Sequence, residues 1–203
     1  MTDSNTPEHV PNRKPFFMVL GLFFAPLLLA FAVYYGSSWR PTGTTNKGEL
    51  ITPAIPLPEV ALTKADGSAT DATFLRGNWT LVYVDAGDCT QDCRTALATA
   101  QNAHQLLGKD ATRVARVFLY TGACCDAALS TEQPDLLSAS VDSANGKAIL
   151  DLFPLFNGLK VTDSKHVYIV DPLGNLMMSY APGSNPRSIY QDLKKLLDLS
   201  HIG

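Results

Sequence analysis

"VDAGDCTQDCRTAL", residues 84–97, joins two different sequence patterns. Upstream, NWTLVYVD (78–85) is rich in aromatic and β-branched residues and reads as a buried strand. Downstream, Cys93, Leu97, Ala100, His104 and Leu107 recur with helical period. RVARVFLYT (113–121) is the next strand candidate. Strand, helix, strand in this order predicts a parallel pair with a right-handed crossover. In an open sheet of this kind ligands gather beyond the C-terminal ends of the parallel strands. Cys89 and Cys93 follow one such end, and Cys124 and Cys125 follow the other.

The remainder of the chain fits around this unit. Residues 59–64, an Asp66-Gly67 turn and a second short strand read as a hairpin. After 113–121 comes a long polar insertion, then a short helix at 147–153. HVYIVD (166–171), a PLGN turn and 176–180 form a further hairpin. Its first strand should run antiparallel, which starts His166 at the same edge as the four cysteines. A final helix begins at Pro186, with Asn185 as N-cap and Ile189, Leu193, Leu196 and Leu197 as its apolar face. The fold class expected is α/β, a thioredoxin-like fold occupying residues 58–203.

Ahead of it, FFMVLGLFFAPLLLAFAVYY (16–35) is twenty residues without a charge. About 20 helical residues cross the roughly 30 Å of a bilayer's hydrocarbon. Arg13 and Lys14 lie just before the run, and Tyr34, Tyr35 and Trp39 lie at its far end. That pattern favours an N-terminus in the cytoplasm. Residues 1–15 then form a cytoplasmic tail, 16–35 a transmembrane signal anchor, and the Gly-, Pro- and Thr-rich 36–57 a tether. Ala30-Phe31-Ala32 resembles a signal-peptidase site, but the apolar run is long for a cleaved signal. The domain therefore belongs in an oxidising compartment, where cysteines pair. A net charge of −3 gives no nucleic-acid footprint, and no phosphate-binding glycine loop or catalytic triad is present.

Three readings of Cys89-x-x-x-Cys93 compete: a metal clamp, a redox couple, or two small buried residues. On a regular helix, residues four apart have Cβ atoms about 5–6 Å apart. A disulfide needs about 3.8 Å, so the first helical turn must unwind to form one. Two thiolates suit a soft ion such as Cu(I). Asp85, Asp88 and Asp92 disfavour a bare thiolate and favour a cation. His166 is a candidate third ligand, its alternative being a strand-start histidine bonded to backbone. Cys124 and Cys125 read as extra ligands, a resolving pair, or plain loop residues. Their Cα atoms lie about 3.8 Å apart across a trans peptide, which argues against a vicinal disulfide. His104 reads as a satisfied core histidine and one of Met177 and Met178 as a packing residue. His9 and His201 carry no signal.

With these residues in place the chain resembles the Sco/SenC family of membrane-anchored, thioredoxin-fold proteins of cytochrome oxidase assembly. The resemblance spans residues 57–197. It rests on GNWTLVYVDAGDCTQDC, on the Cys89–Cys93 spacing, and on HVYIVDPLGNLMMSY before a closing helix. It implies a copper carrier, or a thiol–disulfide reductant, acting on the binuclear copper centre of oxidase subunit II or on other assembly proteins. Cys89 and Cys93 match the family's two thiolate ligands for copper, expected as Cu(I), and would be the redox residues of a reductant. The implied location is the bacterial inner membrane, single-pass, with the C-terminal domain periplasmic. Three departures stand out. Arg94 occupies the position of the family's proline. The family histidine position falls on Asp163, with His166 displaced by three. Ser164-Lys165 stands where a general oxidoreductase has a cis-proline. The first two departures motivate a non-catalytic scaffold and the third argues against a general thioredoxin-like reductase. A membrane-bound thiol–disulfide oxidoreductase and a scaffold stand as alternatives to the copper carrier.

Overall fold

The computed structural model describes residues 13–36, 45–125 and 127–200. The chain divides into two units, Met1–Thr44 and Thr45–Gly203. Most of the expected tail, residues 37–44 of the expected tether, and His9, Trp39 and His201 lie outside the described residues.

The first unit contains helix α1, Lys14–Gly36. Its 23 residues at about 1.5 Å each span about 34 Å. No residue of it is buried, and it is long and apolar enough to cross a membrane. Pro26 sits inside the helix. It removes one backbone donor, a loss that membrane helices tolerate.

The second unit is a mixed sheet ordered β1-β7-β6-β3-β4-β5-β2. Its strands are β1 Glu49–Pro56, β2 Thr63–Lys64, β3 Trp79–Ala86, β4 Val114–Thr121, β5 Leu136–Ser140, β6 Val167–Val170 and β7 Asn175–Tyr180. Its helices are α2 Gln91–Leu106, α3 Ala127–Glu132, α4 Ala144–Leu150, α5 Val161–Ser164 and α6 Pro186–Leu199. β3, β4 and β5 are parallel neighbours; on the other side of β3, β6 pairs with it antiparallel, and β7 pairs antiparallel with β6. The expected thioredoxin-like order is present.

Alternation along the strands creates two cores. Leu81, Tyr83, Phe118, Val167 and Ile169 face α2 and α6, where Leu97, Ala100, Ile189 and Leu193 pack on them. Val82, Val84, Val117, Leu119, Tyr168 and Val170 face the other way, toward Ile149 of α4 and Phe153. The period-2 pattern of a strand buried on both faces produces this split. Asn185 caps α6 as expected, its side chain accepting from the Arg187 N–H at 2.8 Å.

Two expectations are corrected. Residues 36–57 are not a continuous tether, because 49–56 form β1, paired antiparallel with β7. Pro53 and Pro56 disguised it: proline is confined to edge strands, and β1 is one. Its entry is clamped, with Lys47 and Gly48 N–H groups donating to the buried Asp192 carboxylate at 2.8 and 2.9 Å. Tyr180 donates to the same oxygen at 2.9 Å. The polar insertion is also more ordered than its composition implies. It supplies β5, whose LLSAS sequence is too short and too serine-rich to stand out, in register beside β4.

Candidate functional site

β3 ends in Ala86, and the chain turns before α2 begins at Gln91. The Cys89 N–H donates to the Ala86 carbonyl at 3.2 Å across this turn. Cys89 itself has φ +38°, in the left-handed region that L-residues avoid. Because Cys89 precedes the helix, the distance rule for a regular helix does not govern it. It is joined to Cys93 in a disulfide with Cα atoms 5.1 Å apart. The expected unwinding of a helical turn is therefore unnecessary. Both residues are buried, Cys93 completely and Cys89 to 4 % exposure, against the α2–α6 side of the sheet.

The other cysteines approach the same place. Ala86 pairs with Thr121 in the β3–β4 ladder, and the Gly87 N–H donates to the Thr121 carbonyl at 2.8 Å. Gly87 then packs directly on the β4–α3 loop. A Cβ there would overlap the Ala123 carbonyl and come within 3.0 Å of the Cys124 Cβ. Cys124 and Cys125 are half-buried and pack against the core that contains Cys89 and Cys93. They form a disulfide with each other across a cis peptide, their Cα atoms 3.1 Å apart. This corrects the expectation against a vicinal pair, which assumed trans spacing. Arg94 ties the two segments further, pairing with Glu132 of α3 at 3.1 Å. The residue standing in the family's proline position thus has a docking role.

The imidazole does not join the thiols. His166 precedes β6 with the parity of Tyr168, and its ring stacks on Phe156 at 3.9 Å between centroids. Phe156 and Tyr168 belong to the core on the α4 side. The His166 Nδ1 is bonded to the Ser164 carbonyl at 2.7 Å. Among the described residues no three His, Cys, Asp or Glu side chains are grouped as a metal site. His104 is half-buried, its Nε2 within 2.9 Å of the Ala111 and Val114 carbonyls. Met178 packs in the core and Met177 against it.

Lys165, one residue earlier, points to the cysteine side. It adopts φ +54° at the end of α5, and its Nζ donates to Asp85 Oδ1 at 2.5 Å. Asp85 is buried, and also accepts from the Tyr83 hydroxyl at 2.8 Å and from the Ala86 N–H at 2.7 Å. Burial, then the bond and charge of Asp85, push the Tyr83 hydroxyl far above its ordinary pKa. Tyr83 therefore stays a donor. Of the three carboxylates expected to favour a cation, Asp85 is neutralised by Lys165, while Asp88 and Asp92 are exposed. Sequence reasoning missed Lys165 as a site residue; its strand parity with Val167 was the available signal. Beside it lies an open cleft of about 330 Å³, lined by Asp92, Thr95 and Thr99 of α2, by Lys165, and by the Ala181–Ser184 loop.

Residues 79–200 match the family described as transmembrane-like, thioredoxin-like, C-terminal domain. No curated protein matches the chain in sequence. Among solved structures, Bradyrhizobium japonicum ScoI with copper bound is 26% identical, with a TM-score of 0.55 over 70% of this chain and 99% of its own. Apo Sco1 from Thermus thermophilus is 18% identical, TM-score 0.61, over 76% and 99%. BsSco, a Sco-family cytochrome c oxidase assembly protein with a disulfide switch, is 15% identical, TM-score 0.53, over 74% and 99%. The last two bear on the fold alone. The domain thus resembles Sco proteins over nearly their whole length while diverging from them in sequence.

Proposed function

The chain belongs to the transmembrane-like, thioredoxin-like C-terminal domain family, and from that premise we propose that it is a membrane-anchored, Sco-like copper-handling factor for oxidase assembly. The observation that carries this reading is the buried Cys89–Cys93 pair at the junction of β3 and α2. The copper-bound ScoI neighbour, with 99% of its length covered, supports it.

Copper is cargo in this reading. Reduction of the disulfide frees two thiolates at a spacing suited to one soft ion, and Cu(I) is among the ions that such donors select. Cys93 lies in the first turn of α2, where the helix N-terminus stabilises its anionic form. Transfer proceeds by ligand exchange with thiols of an acceptor, in our reading the copper site of oxidase subunit II or another assembly protein. His166 is outside the donor set we assign, because its ring is held by Phe156 and Ser164 on the other side of the sheet. α1 anchors the domain, in our reading from the bacterial inner membrane into the periplasm.

The test is Cu(I) titration of the full chain in detergent under reducing conditions. One equivalent should bind, and Cys89→Ser/Cys93→Ser should lose it. Equal affinity in the double variant would falsify the reading. A second reading, a thiol–disulfide oxidoreductase, is favoured by the cleft beside α2, which offers room for a substrate segment. It requires Cys93→Ser to trap a mixed disulfide through Cys89. If Cys89 in that variant captures no disulfide substrate, this second reading falls.

A further inference from the structure

We infer that Cys124 and Cys125 are a second redox pair, an outer relay that reduces the inner Cys89–Cys93 disulfide. The inference rests on the reading of Cys89 and Cys93 as a thiol-active pair. Four observations place the relay.

The first is contact. Gly87, two residues before Cys89, is packed so tightly on Ala123 and Cys124 that no side chain fits between the two loops. Secondly, the ladder fixes this contact, since Ala86 pairs with Thr121 and Gly87 bonds to the Thr121 carbonyl. Thirdly, α3, which follows the outer pair, is fastened to α2, which carries Cys93. Arg94 pairs with Glu132, and the Gln101 side-chain amide donates to the Glu132 carbonyl at 3.2 Å. The buried Leu129 seals the joint from within the shared core. The fourth is accessibility. Cys93 is fully buried and Cys89 nearly so, whereas Cys124 and Cys125 are half-buried. Cys125 also lines a cleft of about 170 Å³ with Leu129, Ser130, Gln133 and Pro134. The outer pair therefore has one member facing a cleft and one facing the inner loop.

The chemistry is two successive thiol–disulfide exchanges. A dithiol donor attacks Cys125 Sγ; the Cys124–Cys125 bond breaks and Cys124 leaves as a thiolate. The donor's second thiol displaces Cys125, so the donor becomes a disulfide and the outer pair a dithiol. Cys124 thiolate then attacks Cys89 Sγ. A Cys89–Cys124 bond forms, and Cys93 leaves as a thiolate at the N-terminus of α2, which favours its charge. Cys125 thiolate attacks Cys124, re-forms the outer disulfide and releases Cys89. Two electrons and two protons pass from the donor to the inner pair, and the outer pair returns to its starting state. Exchange of this kind is governed by access and leaving-group stability, which are the two properties divided between the pairs.

The test uses the full chain in detergent, with both pairs oxidised, and dithiothreitol as donor. Acid quenching at intervals, mass-tag alkylation and peptide mapping read each cysteine separately. Tags should appear at Cys124 and Cys125 before Cys89 and Cys93. In Cys124→Ala/Cys125→Ala, reduction of the inner pair should slow by roughly tenfold, the order expected when attack must reach a shielded sulfur. A single Cys125→Ala variant cannot resolve the intermediate and should accumulate a Cys89–Cys124 cross-linked peptide. That variant also serves if the double variant does not fold. An unchanged inner rate, or no such cross-link, overturns the relay and leaves the copper reading standing. An inner disulfide that excess dithiothreitol fails to reduce in the native chain overturns both.

Discussion

The two faces of the sheet share the same strands and differ in every chemical respect. Under α2 and α6 lie four cysteines, a buried carboxylate neutralised by a lysine, and an open cleft. Toward α4, His166, Phe156, Phe153 and Tyr168 make an aromatic group in which His166 stacks on Phe156 and Phe153 meets Tyr168 edge-on. The point of divergence is one peptide bond. Lys165 reaches Asp85 on the first face and His166 lies on Phe156 on the second. Chemical suitability for a metal therefore says little about a residue at a strand end until its parity is known. The first face carries the sulfurs and is tightly constrained; the second carries the aromatic group and a cleft of its own, about 550 Å³, lined by Val141, Phe153 and Val161 among others.

The largest effect expected is from Gly87→Ala. The added methyl overlaps the Ala123 carbonyl and must push the two cysteine loops apart. Overpacking against backbone costs about 3 kcal/mol, measurable as a lowered thermal midpoint of the full chain in detergent. The same variant should alter the rate at which Cys89–Cys93 is reduced. A stable variant with normal reduction would erase the contrast between a constrained and an unconstrained face.

Asp192→Ala comes next. It leaves the Lys47 and Gly48 N–H groups and the Tyr180 hydroxyl without their acceptor. Orphaned buried donors cost about 1–3 kcal/mol apiece when water cannot reach them, and Gly48 is buried. A loss of about 3 kcal/mol should appear, together with faster amide exchange in β1. Protected β1 amides would show that the strand is held by its ladder alone.

Lys165→Met removes the cation from buried Asp85, which keeps the Tyr83 and Ala86 donors. Lys165 is partly exposed, so the cost is discounted to about 2 kcal/mol. Copper affinity should rise or hold, because a positive charge leaves the cysteine face. A sharp loss would mean that Lys165 positions the pair.

The smallest effect belongs to His166→Ala. Loss of the stack on Phe156 should cost about 1 kcal/mol. Cu(I) affinity should remain unchanged. A large drop in affinity would return His166 to the donor set and break the division between the faces.

Much of this was written locally. NWTLVYVD has to be a buried strand, and Cys93 through Leu107 has to be a helix, because periodicity depends on side chains a few residues apart. The Asn185-Pro186 start of α6 and the apolar α1 were equally legible, since capping and hydropathy are local properties. The cysteine motif followed from its place between strand and helix. What escaped the reading depends on partners distant in the chain. β1 is a strand because β7 offers an edge that tolerates prolines. β5 is a strand because β4 lies beside it. The side to which Lys165 and His166 turn follows from β6's register on β3. The approach of Cys124 to the inner pair follows from the Ala86–Thr121 pairing and the absence of a side chain at Gly87. The sequence by itself determined the central strands, the long helices and where the sulfurs lie along the chain. Only the tertiary structure decided which of those groups meet, because register and loop contacts are set by packing between elements rather than within them.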